Sequence, residues 1–282
     1  MILIYSKDAG GAEILSSWLK EKKIKNIDFI LKGPAINIFK SKSFRINNIK
    51  NKIQVSKYKK FFFSTNFPPG DEIKLLKRFK KKNVETVCFL DHWVNYKERF
   101  TLQNKTILPD KIYTFDNTAF KIAKQKFNKS NIFLKKNYYL FEQKKYINNL
   151  KKNKKHILLL SSPAYNSMKK YSKKMTDKKN MEKIQIFIKK IILLKKNFNS
   201  NLIVIRPHPS ELKKNFKLLS KKIRGFSIKI SNNSLIEDIA DSEAIFGTNS
   251  MAFLTASLMK KKIYNILFGK KNTIPIKNII NI

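Results

Sequence analysis

A short apolar run that ends in a polar turn and gives way to an amphipathic segment recurs along this whole sequence. That alternation restricts the chain to an α/β fold, because strands separated by helical crossovers pair in parallel. Strands are predicted at Ile2–Tyr5, Ile27–Leu31, Phe61–Ser64, Val84–Leu90, Ile112–Phe115 and Ile132–Leu134. Helices are predicted at Ala12–Lys22, Asp71–Lys82 and Ala119–Phe127. The second of these carries Ile73, Leu75, Leu76 and Phe79 on one face. A lysine-rich polar stretch from Lys135 to Lys155 interrupts the pattern and is read as a connection.

The alternation then restarts with a strand at His156–Ser161, a loop through Lys178 and a helix at Met181–Lys196. Strands follow at Leu202–Arg206, Phe226–Ile230, Ala244–Phe246 and Ile263–Leu267, with helices at Glu211–Lys221, Leu235–Asp241 and Asn249–Lys261. The expectation is two Rossmann-like domains facing across a cleft, residues 1–150 and residues 151–282.

The formal net charge of +42 first suggests nucleic acid, where Lys and Arg neutralise phosphates. Its make-up argues otherwise. Arginine stands only at 45, 78, 99, 206 and 224, so 56 of the 61 basic residues are lysine, whereas bidentate phosphate and base recognition favours arginine. The chain also holds 38 Ile, 29 Asn and 22 Phe, and these types share AT-rich codons with lysine. Most of the charge is therefore read as compositional bias. What is left suits peripheral contact with an anionic membrane or an acidic glycan.

No apolar run reaches the length of a membrane span, and Met1–Asp8 lacks the features of a signal peptide. The lone Cys88, inside a strand, excludes an intramolecular disulfide and reads as core. His and Cys spacing gives no metal set, and no cofactor is expected. A cytoplasmic protein is expected.

Four turns carry the candidate chemistry, each just past a predicted strand, where α/β folds bind ligands. The first is Asp8-Ala9-Gly10-Gly11-Ala12-Glu13. Its paired glycines allow a tight turn and close approach of an anion to a helix start, though it matches neither GxGxxG nor a P-loop. The second runs from Phe89 to Phe100 and places Asp91 beside His92, with Trp93, Tyr96 and Arg99 close behind. Either Asp91 or His92 suits a general base for a hydroxyl, and the plainer alternative is a loop in which Trp93 packs and Asp91 caps a turn. The third is Arg206-Pro207-His208-Pro209-Ser210-Glu211. Its prolines stiffen the backbone around a histidine able to bind a phosphate or protonate a leaving group, while Arg206 adds fixed charge. Ser210 alternatively caps the next helix. The fourth is Gly247-Thr248-Asn249-Ser250, which offers hydroxyl, amide and backbone donors where a helix begins. His156 is read as structural, and Glu237-Asp238 as a solvated pair on a helix face.

The third and fourth turns, in this order, resemble the C-terminal half of GT-B-type glycosyltransferases. More narrowly, they resemble bacterial sialyl- and polysialyltransferases and CDP-glycerol polymer transferases. The resemblance covers residues 200–267 and is architectural over the first half apart from the glycine turn. It implies a metal-independent enzyme that moves a sugar or polyol from a nucleotide-activated donor to a glycan or lipid-linked acceptor, in bacterial surface or capsule polysaccharide biosynthesis. His208, Thr248 and Ser250 then hold donor phosphates, helped by Arg206, Asn249 and the Gly10–Gly11 turn. Asp91, His92 or Asp8 serves as base. Many UDP-sugar enzymes of this fold, and the related UDP-GlcNAc 2-epimerases, carry a ribose-binding glutamate where Thr255 stands here, so the resemblance favours a CMP- or CDP-linked donor. The alternatives are a nucleotide-sugar epimerase or hydrolase on the same scaffold, and a noncatalytic basic protein binding nucleic acid or an acidic polymer.

Overall fold

The computed structural model describes residues 1–47, 53–127, 131–150, 153–161, 173–209, 211, 216, 222–223, 225–248, 250–266 and 273–282. The chain folds as two compact units, Met1–Glu142 and Gln143–Ile282.

The first unit opens with β1 (Ile2–Ser6), α1 (Ala9–Glu21), β2 (Ile27–Leu31), α2 (Ala35–Ser41), β3 (Lys60–Ser64), α3 (Asp71–Lys80) and β4 (Glu85–Phe89). It continues with α4 (Tyr96–Arg99), the small hairpin β5 (Thr101–Leu102) and β6 (Lys105–Thr106), β7 (Lys111–Thr114), α5 (Asn117–Lys126) and β8 (Asn131–Leu134). Six strands form one sheet in the order β2-β1-β3-β4-β7-β8, every pairing parallel. The strands read as unbroken apolar runs because both faces are covered. On one face Leu3, Phe61, Phe63, Cys88 and Ile112 pack with Ile73, Leu76 and Phe79 of α3, the predicted apolar face of that helix. On the other, Trp18 of α1 stands edge-on to Phe62 and Phe89, with ring centroids 5.7 and 5.2 Å away. Each such buried ring contributes roughly 2–3 kcal/mol. Strand order reverses between β1 and β3, which makes the carboxyl ends of those strands the switch point of the sheet.

Next comes α6 (Tyr138–Asn148), a helix where only a polar connection is expected. Ile147 is its one buried side chain, so it lacks the apolar stripe that marks a core-facing helix. Lys42 ties it to the first unit, with its ammonium 2.9 Å from Glu142 Oε2, 3.3 Å from Glu13 Oε2 and 2.7 Å from Ser17 Oγ.

The second unit contains β9 (His156–Leu160), α7 (Lys173–Leu193), β10 (Leu202–Arg206), β11 (Lys222–Ile223), β12 (Phe226–Ile230), α8 (Leu235–Asp241), β13 (Ser242–Gly247), α9 (Ala252–Leu258), β14 (Lys262–Asn265) and β15 (Ile279–Asn281). The sheet order is β11-β12-β10-β9-β13-β14-β15, parallel except for the edge pair β11–β12. Leaving out that edge strand, this is the Rossmann order 3-2-1-4-5-6, with its switch point between β9 and β13. Ile157, Leu159, Ile203, Ile205 and Phe246 pack against Ile184, Phe187, Ile188 and Ile191 of α7. Phe246 stacks on Tyr264 with ring centroids 4.6 Å apart.

α7 starts at Lys173, inside the stretch expected to be loop, and α9 starts at Ala252, three residues later than expected. The expected helix Glu211–Lys221 lies mostly outside the described residues. His156 is buried with Nε2 3.0 Å from the Asp238 carbonyl, and Cys88 is core. No helix among the described residues is long and apolar enough to cross a membrane.

Candidate functional site

In the first unit, polar residues collect where β1, β3 and β4 end. The Ser6 and Ser64 hydroxyls, 2.7 Å apart, tie the tips of β1 and β3 together. Asp8 occupies the cap position of α1 but makes no side-chain cap bond. Its Oδ2 accepts instead from the Phe67 N–H at 3.2 Å, in the loop after β3. α1 begins at Ala9, so Gly10 and Gly11 lie in its first turn rather than ahead of it. At Gly11 a Cβ would lie 2.4 Å from Ser64 Cβ and 3.7 Å from Asp91 Cγ, so only glycine lets the helix start sit this close to β3. The paired-glycine signal thus has a packing origin as well as any ligand it serves.

Asp91, two residues beyond β4, is 9% exposed. Its Oδ1 accepts from Thr65 Oγ1 at 3.4 Å and lies 3.9 Å from Arg99 Nη1. Arg99 also donates from Nη1 to Thr65 Oγ1 at 3.1 Å and from Nε to the Val94 carbonyl at 3.1 Å. Asn95, with φ of 57°, makes the left-handed step that turns α4 back and brings Arg99 to the carboxylate. The indole of Trp93 donates to Asp116 Oδ2 at 2.9 Å, while Asp116 caps α5. Trp93 is therefore a packing anchor, and the capping role falls to Asp116 rather than Asp91.

His92 Nδ1 accepts from the Trp93 N–H at 3.0 Å, which leaves the ring proton on Nε2. Desolvation, with the Arg99 charge adding to it, pushes its pKa down to about 3, so the ring is neutral at physiological pH.

Burial raises the pKa of Asp8, of Asp91 and of Glu72. The Asp8 charge raises the other two further, and Arg99 opposes the rise at Asp8 and Asp91. Glu72 escapes sequence reasoning because it occupies the first turn of an amphipathic helix, a place ordinarily solvated. It is fully buried, accepting from the Gly70 N–H at 3.0 Å and from Asn66 Nδ2 at 2.5 Å. Asn66 Nδ2 also reaches Tyr5 Oη at 3.4 Å. The available signal is Thr65-Asn66, a polar pair directly after the Phe-rich strand.

In the second unit the tips of β10 and β13 flank β9, about 10 Å apart at two strand spacings. Arg206 ends β10. Its Nη1 donates to Asp238 Oδ2 and to the Asn233 carbonyl, both at 2.7 Å. Asp238, expected to be solvated, is fully buried by this pairing, whereas Glu237 is exposed and closes a capping box with Ser234. The His208 N–H donates to Glu211 Oε2 at 2.8 Å and the His208 carbonyl accepts from the Glu211 N–H at 2.8 Å, which holds the Pro-His-Pro turn. Burial lowers the pKa of His208 and favours the neutral ring.

Gly247 ends β13, and a Cβ there would meet the Phe253 ring at 3.1 Å. Thr248 Oγ1 donates to the Ile266 carbonyl at 3.1 Å, and Ser250 Oγ accepts from the Ala252 N–H at 3.2 Å. Among the described residues the Ser250 hydroxyl donates to no acceptor, while that of Thr248 is directed at β14's end. Asn249 and Ser210 lie outside the described residues. The structure thus gathers Asp8, Gly11 and Asp91 at one switch point. It places Arg206 and His208 on one strand end of the second sheet, with Thr248 and Ser250 on another.

No protein-family model and no curated protein matches this sequence. Solved structures do match in fold. The UDP-GlcNAc 2-epimerase of Methanocaldococcus jannaschii, in complex with UDP-GlcNAc and UDP, aligns over 100% of this chain and 89% of its own, with a TM-score of 0.64 and 11% identity. The chain has a GT-B-like fold. A Listeria monocytogenes protein described as a UDP-N-acetylglucosamine 2-epimerase shares this GT-B-like arrangement over 95% of this chain and 79% of its own, at a TM-score of 0.62 and 7% identity. The glycotransferase of kitacinnamycin aligns over 100% and 85%, at 0.52 and 7%. At these identities the shared property is the GT-B-like fold itself.

Proposed function

We propose that this chain transfers a sugar or polyol from a CMP- or CDP-linked donor to a glycan or lipid-linked acceptor in surface-polysaccharide assembly. The observation that carries the reading is Asp91, a buried carboxylate of raised pKa at the end of β4, set beside Asp8 and Arg99 on a GT-B-like scaffold. A carboxylate tuned upward is a better proton acceptor from a hydroxyl than an ordinary one. Asp91, with Asp8 as the alternative, takes the acceptor's proton as the acceptor oxygen attacks the sugar's anomeric carbon and the bond to the phosphate oxygen breaks. With a CDP-linked polyol the attack falls on the distal phosphorus, the phosphoanhydride bond breaks and CMP leaves. His92 fits this role least, because a ring with a pKa of about 3 is a weak base.

Within the second unit, Arg206, the His208 ring and Ser250 are the groups assigned to the donor's phosphate. Thr255, at the place of the ribose-binding glutamate in UDP-sugar enzymes, is 1% exposed, which supports a donor other than a UDP-sugar. A cytoplasmic enzyme working at the inner membrane face suits the basic surface.

A thermal-shift panel of CMP, CDP, UDP, GDP and ADP tests the reading with wild type and His208→Ala. Stabilisation by a cytidine nucleotide that the variant loses supports it. Absence of any nucleotide response in wild type removes it.

The second reading, a nucleotide-sugar epimerase or hydrolase, is favoured by the fold likeness to the two epimerases and by the presence of three neighbouring carboxylates. Incubation with UDP-GlcNAc separates the two: release of UDP with no acceptor present supports this second reading.

A further inference from the structure

Among the described residues, Arg206 is held at one nitrogen only. Nη1 donates to Asp238 Oδ2 at 2.7 Å, to the Asn233 carbonyl at 2.7 Å and, more weakly, lies 3.4 Å from Ser231 Oγ. Ser231 Oγ itself donates to Asp238 Oδ2 at 2.5 Å. Neither Nε nor Nη2 of Arg206 has a partner among the described residues, and the side chain is 25% exposed while Asp238 is fully buried. Asp238 Oδ1 is buried and likewise has no partner among them. The pair is thus asymmetric: a sealed carboxylate grips one corner of the guanidinium and leaves its Nε–Nη2 edge turned away.

That edge is the geometry with which arginine takes two oxygens of one phosphate at once. A free arginine at a strand end would have to give up side-chain entropy to present it, and the Asp238–Asn233 grip removes that cost before the ligand arrives. Two features argue against a merely structural ion pair. A pair serving stability alone gains from using both carboxylate oxygens and both terminal nitrogens, and here half of each is left over. In addition, Arg206 is followed directly by the rigid Pro207-His208 turn.

We propose that Asp238, supported by Ser231, is a positioning residue that fixes Arg206 so that its Nε–Nη2 edge receives a nucleotide phosphate. This rests on the donor-site reading above and adds its architecture. The ligand class is a nucleoside mono- or diphosphate, recognised at the phosphate and not at the base.

The test is titration calorimetry on the full chain with CMP, CDP and UDP, and with cytidine and uridine as phosphate-free controls. Asp238→Asn is isosteric and removes only the charge. Arg206→Lys keeps a cation for Asp238 but loses the two-pronged edge. The expected result is a loss of about tenfold or more in nucleotide affinity for each variant, with nucleoside affinity unchanged. The double variant Asp238→Asn/Arg206→Ala is expected to lose no more than Arg206→Ala alone, because the carboxylate acts through the guanidinium. Nucleotide binding by Asp238→Asn or Arg206→Lys at wild-type affinity overturns the proposal and leaves the donor-site reading standing. Equal loss for nucleotide and nucleoside also overturns it, as that marks general damage. Should wild type bind none of the nucleotides, both the reading and the proposal fall.

Discussion

Asp91 and Arg99 meet with 3.9 Å between Oδ1 and Nη1, each almost sealed from solvent, and Thr65 hydrogen-bonds to both. The arginine keeps a buried carboxylate ionisable, and burial keeps that carboxylate basic. Asp91→Asn is expected to lower turnover by roughly 10²–10⁴-fold, the usual worth of a general base, with nucleotide affinity held within about twofold. Arg99→Met is expected to cost about 3 kcal/mol in urea unfolding, since it leaves Asp91 buried without its cation. Wild-type turnover in Asp91→Asn would remove this residue from the chemistry.

Glu72 yields a pH prediction of definite sign. Its pKa is raised in the fold, so above the ordinary carboxylate range the native state holds a proton the unfolded chain has released. The unfolded state binds fewer protons there, and stability falls as pH rises through that window. Glu72→Gln keeps the shape and lacks the ionisation. The melting temperature of the variant relative to wild type should climb as pH rises above the ordinary carboxylate range, and a flat difference would contradict burial as the cause of the shift.

His92 gives the opposite slope. With its pKa lowered from 6.5 to about 3, the unfolded chain takes up a proton that the native ring refuses. Stability is therefore lost as pH falls from 6.5 toward 3. His92→Asn should blunt that acid-side loss in thermal melts. An NMR titration that finds the ring protonating near 6.5 would contradict it.

Gly11 is expected to tolerate no side chain unless its neighbour shrinks. Gly11→Ala places a methyl 2.4 Å from Ser64 Cβ, and overpacking of this kind costs roughly 1–3 kcal/mol. Ser64→Gly in the same chain should recover much of that loss, in a double-mutant cycle read by urea midpoint. Additive effects would show that the helix start moves away instead.

The strands were legible because a sheet covered on both faces turns each of them into a local apolar run, and Leu202–Arg206 and Phe226–Ile230 emerge with their predicted bounds. α8 does too, because Ser234 and Glu237 signal its start within four residues. α6 was hidden because its aromatics and lysines do not segregate to faces. α2, no shorter than α8, was hidden because it follows Pro34 with no side-chain cap and no acidic residue in its first turn. The candidate site was legible as turns and not as contacts. Asp238 resembles any helix-surface acid until Arg206, 32 positions away in the chain, arrives to bury it. Glu72 likewise depends on Asn66 and Gly70 in the preceding loop. Such pairings leave no periodicity to detect.

In both sheets the candidate site residues stand on the last residue of a strand or just beyond it, while the strand bodies are mostly apolar. The two parts therefore answer to different pressures. A strand body needs only volume and β-branching, so isoleucine and phenylalanine replace other apolar types there with little loss. A strand tip needs one particular group at one place. The chain's composition follows this division, with isoleucine and phenylalanine filling the bodies while Asp8, Asp91, Arg206 and His208 stand at the tips. In a chain of this kind, the scarcest letters are the ones to mutate first.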